Sequence, residues 1–468
     1  MRGVTLPRTV PARLRWYTLG CVALAVLVGA VTVSAASGAR ASWDAIGGRQ
    51  APQVVDATGL YQALTDLDGQ SANIMLFGAD PSFATARSTA LHAFDTDRTT
   101  ADHDLQQSTL DAAGNADTQR ALGAVLDELG RYQDLAGRAL ALNDSAHRPA
   151  GHPLPAALTL YRQATDLMRT ELLPASDRLV NANNTAYQST YTAERSALAT
   201  ALVWSIALLV VLVAALLAVQ AWLTLRFRRM VNPALAAATL LALALLGLTA
   251  SLLPAQRECQ RVARHDAFDS VVALTRARAL VADANADESR YLLDADRATT
   301  YQDSFLATSQ AVLTLPGATI AGYDAQLASA VTAYRANHDD VRFRGFYGAE
   351  FRNITFAGER AAAERTLHAY QAYQADDRRI RAYVARNQLA QAIAYDTSYA
   401  AGGSNADFGA HDAALQRVIG VNAAAFHTAV QDGSSQLDAD TPLLGGGAAA
   451  VVLLCLLGVR PRLAEFRR

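Results

Sequence analysis

Two short stretches hold the side chains best placed to do chemistry. Residues 283–290 read Asp283-Ala-Asn285-Ala-Asp287-Glu288-Ser-Arg290, three acids, an amide and a guanidinium within eight positions. Residues 66–73 set Asp66, Asp68 and Asn73 in a similar run. The spacing Asp-x-Asn-x-Asp opens a calcium loop, in which alternate oxygens wrap a hard cation. The sixth position of such a loop needs Gly and here is Glu288; the twelfth needs Glu and is Asp294. A helix is the better reading, with Asp287 and Arg290 meeting at i, i+3. Glu288 then falls on the packing stripe, where a buried acid requires Arg or hydroxyl partners. These eight side chains are candidate contacts for an outer partner.

No other pattern points to catalysis. There is no P-loop, no GxSxG and no GxGxxG following a strand, and the nine His show no ligand spacing. No catalytic residue, metal site or cofactor is assigned, an enzyme is not expected, and nothing points to nucleic acid. Arg378, Arg379, Arg381 and Arg386 follow Asp376-Asp377 on one helix. They read either as a docking face or as surface salt bridges. The three cysteines are too scattered for a disulfide framework, since Cys21 and Cys455 lie in apolar runs and Cys259 stands alone.

The elements that must carry these residues are set by four apolar runs at 16–36, 198–225, 234–253 and 443–459, none of which holds a charge. About 20 apolar residues cross a bilayer as a helix, so these read as four transmembrane helices. Charged groups on transport paths are missing from them, which argues against ion-coupled transport. The chain has no Lys, so its 41 basic residues are all Arg. The short pieces 1–15, 226–233 and 460–468 hold eleven Arg, including Arg226, Arg228 and Arg229, against one acid, Glu465. The two long pieces carry the remaining 30 Arg and 42 acids. Short basic loops mark the cytoplasmic side. The expected topology therefore has cytoplasmic ends at 1–15 and 460–468, a cytoplasmic turn at 226–233, and two extracytoplasmic helical domains at 37–197 and 254–442. Residues 1–36 could also be read as a cleaved signal peptide, and an uncleaved first span is favoured because the run exceeds a usual signal core.

Within 37–197, Leu60, Leu64, Leu67 and Ile74 mark a helical stripe that breaks at Gly78-Ala79-Asp80-Pro81. Two more helices follow, and a fourth runs from about 156 into the second span with a kink expected at Pro174. Four such helices make an antiparallel four-helix bundle. Residues 254–442 repeat the plan, with helices at about 254–296, 298–313, 320–338, 358–400 and from 407 to the last span. Between them, "VRFRGFYGAEFRNITF" alternates at Val341, Phe343, Phe351 and Phe356 and reads as a small β-hairpin or an irregular arm near 341–356. Residues 60–76 align without gaps on 277–293, a shift of 217, placing Leu64 on Val281, Asp66 on Asp283, Asp68 on Asn285 and Leu76 on Leu293. The fold class is thus an all-α membrane protein with a parallel internal repeat.

The stretches "LYQALTDLDGQSAN", "ARALVADANADESRYLLD" and "RNITFAGER" resemble an actinobacterial family of four-span membrane proteins with two outer helical domains. The resemblance implies coupling between an extracytoplasmic glutamate/aspartate-binding lipoprotein and a soluble Ser/Thr kinase, and so a receptor for amino-acid availability. It supplies no catalytic residues and no kinase-docking residues. Arg226, Arg228 and Arg229 are the candidate cytoplasmic contacts, for kinase or membrane lipid, on charge and position alone. Competing readings are an accessory permease subunit of an ATP-driven envelope complex and a structural envelope scaffold. Eight residues at 226–233 offer an ATPase little to grip.

Overall fold

The computed structural model describes residues 9–111, 116–227 and 232–464. Among the described residues the chain is helical, without a strand. The helices are α1 (Val10–Ala45), α2 (Ala51–Phe77), α3 (Ala84–Asp111), α4 (Ala116–Ser145), α5 (Pro155–Leu167), α6 (Leu173–Phe227) and α7 (Pro233–Arg261). They continue with α8 (Asp269–Leu293), α9 (Ala298–Val312), α10 (Tyr323–Ala336), α11 (Gly345–Asn353), α12 (Glu359–Ala385), α13 (Leu389–Asp396) and α14 (Ser404–Ala464). Three π-helical turns, at Ile46–Gln50, Met168–Leu172 and Val262–Phe268, join α1 to α2, α5 to α6 and α7 to α8. Each admits one more residue per turn than an α-helix, and such turns often sit at functional positions. The turn at 168–172 ends two residues before Pro174, where the sequence expects a kink. Pro174 lacks an N–H to donate to the preceding turn.

The chain forms two compact units. One comprises 1–48, 187–263 and 427–468; the other comprises 49–186 and 264–426. In the first, four helices are long and apolar enough to cross a membrane, so this is a multi-pass membrane protein. Their shared core includes Ala25, Val28, Leu212, Leu216, Ala242, Leu245, Val451 and Cys455. Leu19, Leu27, Val210, Val211, Leu240 and Leu453 face outward, as lipid contact requires. Lipid tails are as apolar as Leu, so close packing between small residues has to hold spans together. A Cβ on Gly29 would lie 2.9 Å from the Ala448 methyl, and one on Gly447 would lie 2.7 Å from Leu245. Polar ties add to this. Gln220 donates to Thr239 at 3.1 Å, and Asn232 both caps α7 and donates to the Gly458 carbonyl at 2.6 Å. Trp43 Nε1 donates to Gln256 Oε1 at 2.9 Å, and Gln256 Nε2 donates to the Gly433 carbonyl at 2.9 Å.

In the second unit the two long segments come together, where the sequence read them as two domains. Each brings its own core: Leu60, Leu64, Val125, Tyr132, Leu172 and Leu179 in one, Leu274, Phe305, Leu327, Tyr334, Tyr347 and Tyr370 in the other. A third cluster joins Ala72, Met75, Leu76 and Tyr161 to Leu292, Leu293, Ile380 and Ile393. The seam runs between α2 and α8, and small residues let the two helices approach. A Cβ on Gly69 would lie 3.3 Å from the Ala286 methyl, and this pair is aligned by the shift of 217.

Each segment enters this unit in the same order: π turn, long helix, 3-10 turn (Pro81–Phe83 or Ala295–Arg297), next helix. The end of α2 is locked by a loop. Gly78, at φ +55°, lets its backbone approach the Arg148 carbonyl, Ala79 N–H donates to that carbonyl at 2.9 Å, and Gly151 N–H donates to the Leu76 carbonyl at 2.8 Å.

The expected hairpin near 341–356 is absent. Only Thr314 and Arg344 make an isolated antiparallel bridge, and residues 345–353 are helix α11. Tyr347 and Phe351, four apart on α11, are buried together with Phe343 just before it, and that helical spacing outweighs the local alternation. The helix expected over 358–400 also divides, because Asn387 takes a left-handed φ of 58° between α12 and α13, a conformation Asn tolerates at helix ends.

Candidate functional site

The polar run of α8 faces inward, onto α2. Arg290 is 1% exposed. Its Nη2 donates to Asp68 Oδ2 at 2.5 Å, and its Nη1 donates to Asp283 Oδ1 at 2.9 Å and Asp287 Oδ1 at 2.7 Å. Asp68, also 1% exposed, accepts from Tyr132 Oη at 3.0 Å and Thr165 Oγ1 at 3.2 Å. The π turn after α5 projects Arg169 into the same cluster. Its Nη2 lies 2.7 Å from Asp287 Oδ2, 3.3 Å from Asp283 Oδ2 and 2.6 Å from Ser304 Oγ. Three carboxylates thus meet two guanidiniums, contributed by α2, α8 and the turn at 168–172.

Their proton affinities divide. Burial pushes Asp283 up, but Arg290 and Arg169 outweigh it and leave the carboxyl below its ordinary value. Burial and the neighbouring Asp283 charge push Asp287 up against the same two cations. Burial opposes the charge on Arg290, and Asp68 and Asp287 more than restore it. Burial, then the Asp68 charge, holds the Tyr132 phenol protonated as a neutral donor.

A second cluster adjoins the first along α8. Glu288 (1% exposed), Asp377 and Asp396 are buried around one cation, Arg381, whose Nε donates to Asp377 Oδ2 at 2.8 Å and whose guanidinium lies over Tyr291 and Phe305. Three buried acids against one guanidinium favour proton retention. Burial, then the Asp377 and Asp396 charges, raises Glu288 well above its ordinary value. Burial and Asp377 carry Asp396 to about 7, against a lowering hydrogen bond from Ser289. Ser289 Oγ lies 2.7 Å from Asn73 Oδ1 and 3.0 Å from Asp396 Oδ2. One hydroxyl hydrogen cannot serve both, and a protonated Asp396 supplies the second.

The candidate residues from the sequence are therefore placed as follows. Asp68, Asp283, Asp287 and Arg290 form one network, with Asn73 and Glu288 at its flank. Asn285 Nδ2 donates to Glu288 Oε2 at 3.3 Å. Asp66 stands apart, accepting from Gln62 at 2.7 Å; burial raises it to about 6, with Arg278 among the opposing charges. Asp68, Asn73, Asp287, Glu288 and Arg290 are buried, while Asp66, Asp283 and Asn285 are half-buried. Arg226 is exposed in the last turn of α6, while Arg228 and Arg229 lie outside the described residues. Of the Arg run on α12, Arg381 is internal, Arg378 pairs with Asp324 at 2.9 Å, and Arg379 lies over Tyr395.

Sequence reasoning missed Arg169, Asp377 and Asp396. Arg169 had a signal: it sits among Leu167, Met168, Leu172 and Leu173, where an unpaired charge would be out of place. Outer pairs also cross the seam. Arg162 binds Asp294 and Asp296, Arg297 binds Asp166 at 2.8 Å, and Arg276 binds Asp177 at 3.0 Å.

Residues 42–192 match a family described as "Actinobacterial sensor domain". The matched segment supplies Asp68, Asn73, Tyr132, Thr165 and Arg169, one side of the network. No curated protein and no solved structure matches the chain.

Proposed function

We propose that the protein is a transmembrane signal-coupling receptor whose α2–α8 seam is the element a signal biases. In this reading both long segments are extracytoplasmic and are parallel copies of one plan. An extracytoplasmic solute-binding lipoprotein reports amino-acid availability to them, and a cytoplasmic Ser/Thr kinase reads the Arg-rich ends. The observation that carries the reading is the buried ionic network: charged groups buried between two helices are held by mutual geometry, so a small shift of one helix changes every partner at once. The sensor-domain match over 42–192 supports a sensing role for that half. Helices α6 and α14 continue unbroken from residues of the seam's unit into apolar spans, a route for a shift of about 1–2 Å.

The test is photo-crosslinking from exposed positions of α3 and α4 in cells, with and without saturating glutamate or aspartate, followed by identification of the captured protein. Amino-acid-dependent capture of a solute-binding lipoprotein is the expected outcome. Capture of an ATPase complex instead, or no change in kinase-substrate phosphorylation when the chain is deleted, would overturn the reading.

A further inference from the structure

A groove of about 460 Å³ runs between α1 and α6 within the membrane-spanning unit. Trp16, Tyr17 and Gly20 line it from α1, and Ala215, Ala218 and Trp222 line it from α6. The aromatic sides meet edge to face, with the Tyr17 and Trp222 rings 5.5 Å apart. Trp16, Gly20 and Ala218 are exposed, and a Cβ on Gly20 would meet no atom within 4 Å. The slot therefore opens from the bundle toward lipid. A second groove between the same helices is lined by residues 30–39 of α1 and 194–201 of α6, so numbers that rise along α1 fall along α6. The two helices are antiparallel. Arg13 thus lies one turn beyond Tyr17, and Arg226 one turn beyond Trp222, at the same end of the groove and about 6 Å further along each helix. Both arginines are exposed. The pieces flanking this end, 1–15, 226–233 and 460–468, hold eleven Arg against Glu465 alone. Whatever pairs form within them, this end keeps a surplus of positive charge.

We propose that this groove seats one anionic phospholipid from the bilayer. Its phosphate sits on Arg13 and Arg226, its glycerol region beside Trp16 and Trp222, and one acyl chain on Gly20, Ala215 and Ala218. Small apolar residues, then Trp and Tyr, then Arg follow the order in which a phospholipid presents its own parts. Arg meets phosphate with paired N–H groups, and basic pockets between spans hold anionic head groups. The volume lies inside the range of ~300–1,000 Å³ for specific ligand sites. The lipid would bridge the first and second spans. The site needs only the spans, so it holds whether or not an outer lipoprotein is captured.

The experiment is quenching of tryptophan fluorescence in the full-length protein carrying Trp204→Phe, held in phosphatidylcholine nanodiscs doped with a phospholipid brominated on its acyl chains. Trp204 is exposed elsewhere on α6 and Trp43 is buried, so Trp16 and Trp222 are the reporters. Brominated phosphatidylglycerol is expected to half-quench them at a mole fraction at least about fivefold below that of brominated phosphatidylcholine, the effect of one surface Arg on an anionic lipid. Arg226→Gln should lower that preference about fivefold. Gly20→Leu fills the slot from a position with open space around it, and should remove the preference while leaving thermal unfolding near that of the parent. Equal quenching by the two head groups would overturn the proposal. So would a preference kept in full by both variants, which marks lipid gathered by the whole Arg-rich end. Loss of the preference on adding inorganic phosphate at constant ionic strength would overturn it too, marking a site for a soluble anion.

Discussion

Replacing Asp396 by Asn tests whether the acid-rich cluster on α8, α12 and α13 stores protons. The carboxyl has an ordinary value of 3.8 and sits at about 7 in the fold, chiefly through burial. A raised carboxyl keeps its proton in the folded form while the unfolded chain has lost it. Its contribution to stability is therefore largest in acid and is lost as pH rises from about 4 to about 7. Between pH 5 and pH 8 the loss amounts to about 2–3 kcal/mol. Asn carries no proton to lose. Its amide N–H can donate to Ser289 Oγ in place of the acidic O–H. The lead of the variant over the parent should be smallest near pH 5 and should grow by roughly 5 °C or more by pH 8 in thermal unfolding of the nanodisc-embedded protein. Comparing variant with parent is essential because His411 acts with the opposite sign. Burial lowers it to about 4, so it costs stability as pH falls from about 6.5 to 4 in both proteins. A difference between the two that does not grow from pH 5 to pH 8, or a variant less stable at pH 8, would refute the reasoning.

Three further outcomes follow from the packing. Arg290→Met strands the buried Asp68 without a countercharge and leaves Arg169 alone to serve Asp283 and Asp287, and should cost about 3–5 kcal/mol, read as loss of folded yield or a lowered unfolding midpoint. Adding Asp68→Asn to it should recover part of that loss. Gly78→Ala forces a Cβ into a positive-φ position and against the Arg148 carbonyl, and should lower stability by about 1–3 kcal/mol in the same assay. Gly433→Ala would place a Cβ 2.5 Å from the Trp43 ring. It should cost about 1–3 kcal/mol through overpacking and raise the accessibility of Trp43 to a fluorescence quencher.

Much of the architecture could be read from the chain. The charge-free runs announced four spans because hydrocarbon tolerates no other arrangement of so many apolar residues. The break at Gly78–Pro81 could be read because only Gly and Pro chemistry closes a helix that way. Gly69 and Ala286 meet at the seam, a close approach that small residues make possible and that says nothing of a repeat. The site itself was half legible. Asp68, Asp283, Asp287 and Arg290 stood out as polar groups on packing stripes, but their partners depend on which helices touch, a long-range fact that periodicity does not carry. Arg169 showed only as a charge among apolar neighbours. The π turn at 168–172 shifts the helical phase, so a strict 3.6-residue count does not place its side chain. The arm near 345 was misread because Phe343, Tyr347 and Phe351 satisfy a four-residue repeat as well as an alternation.

Helix α14 is the counterpart to those widened turns. Its 61 residues contain no π turn and carry Pro442 and Pro461 inside the helix, a rise of about 90 Å at 1.5 Å per residue. The segments leading through 46–50, 168–172 and 262–268 each carry a surplus residue. Moving that surplus by one position would turn the residue it passes by roughly 100° while the helix beyond kept its phase and most of its amide ladder stayed closed. A side chain on one of these turns can thus change the face it presents without unwinding the helix that carries it.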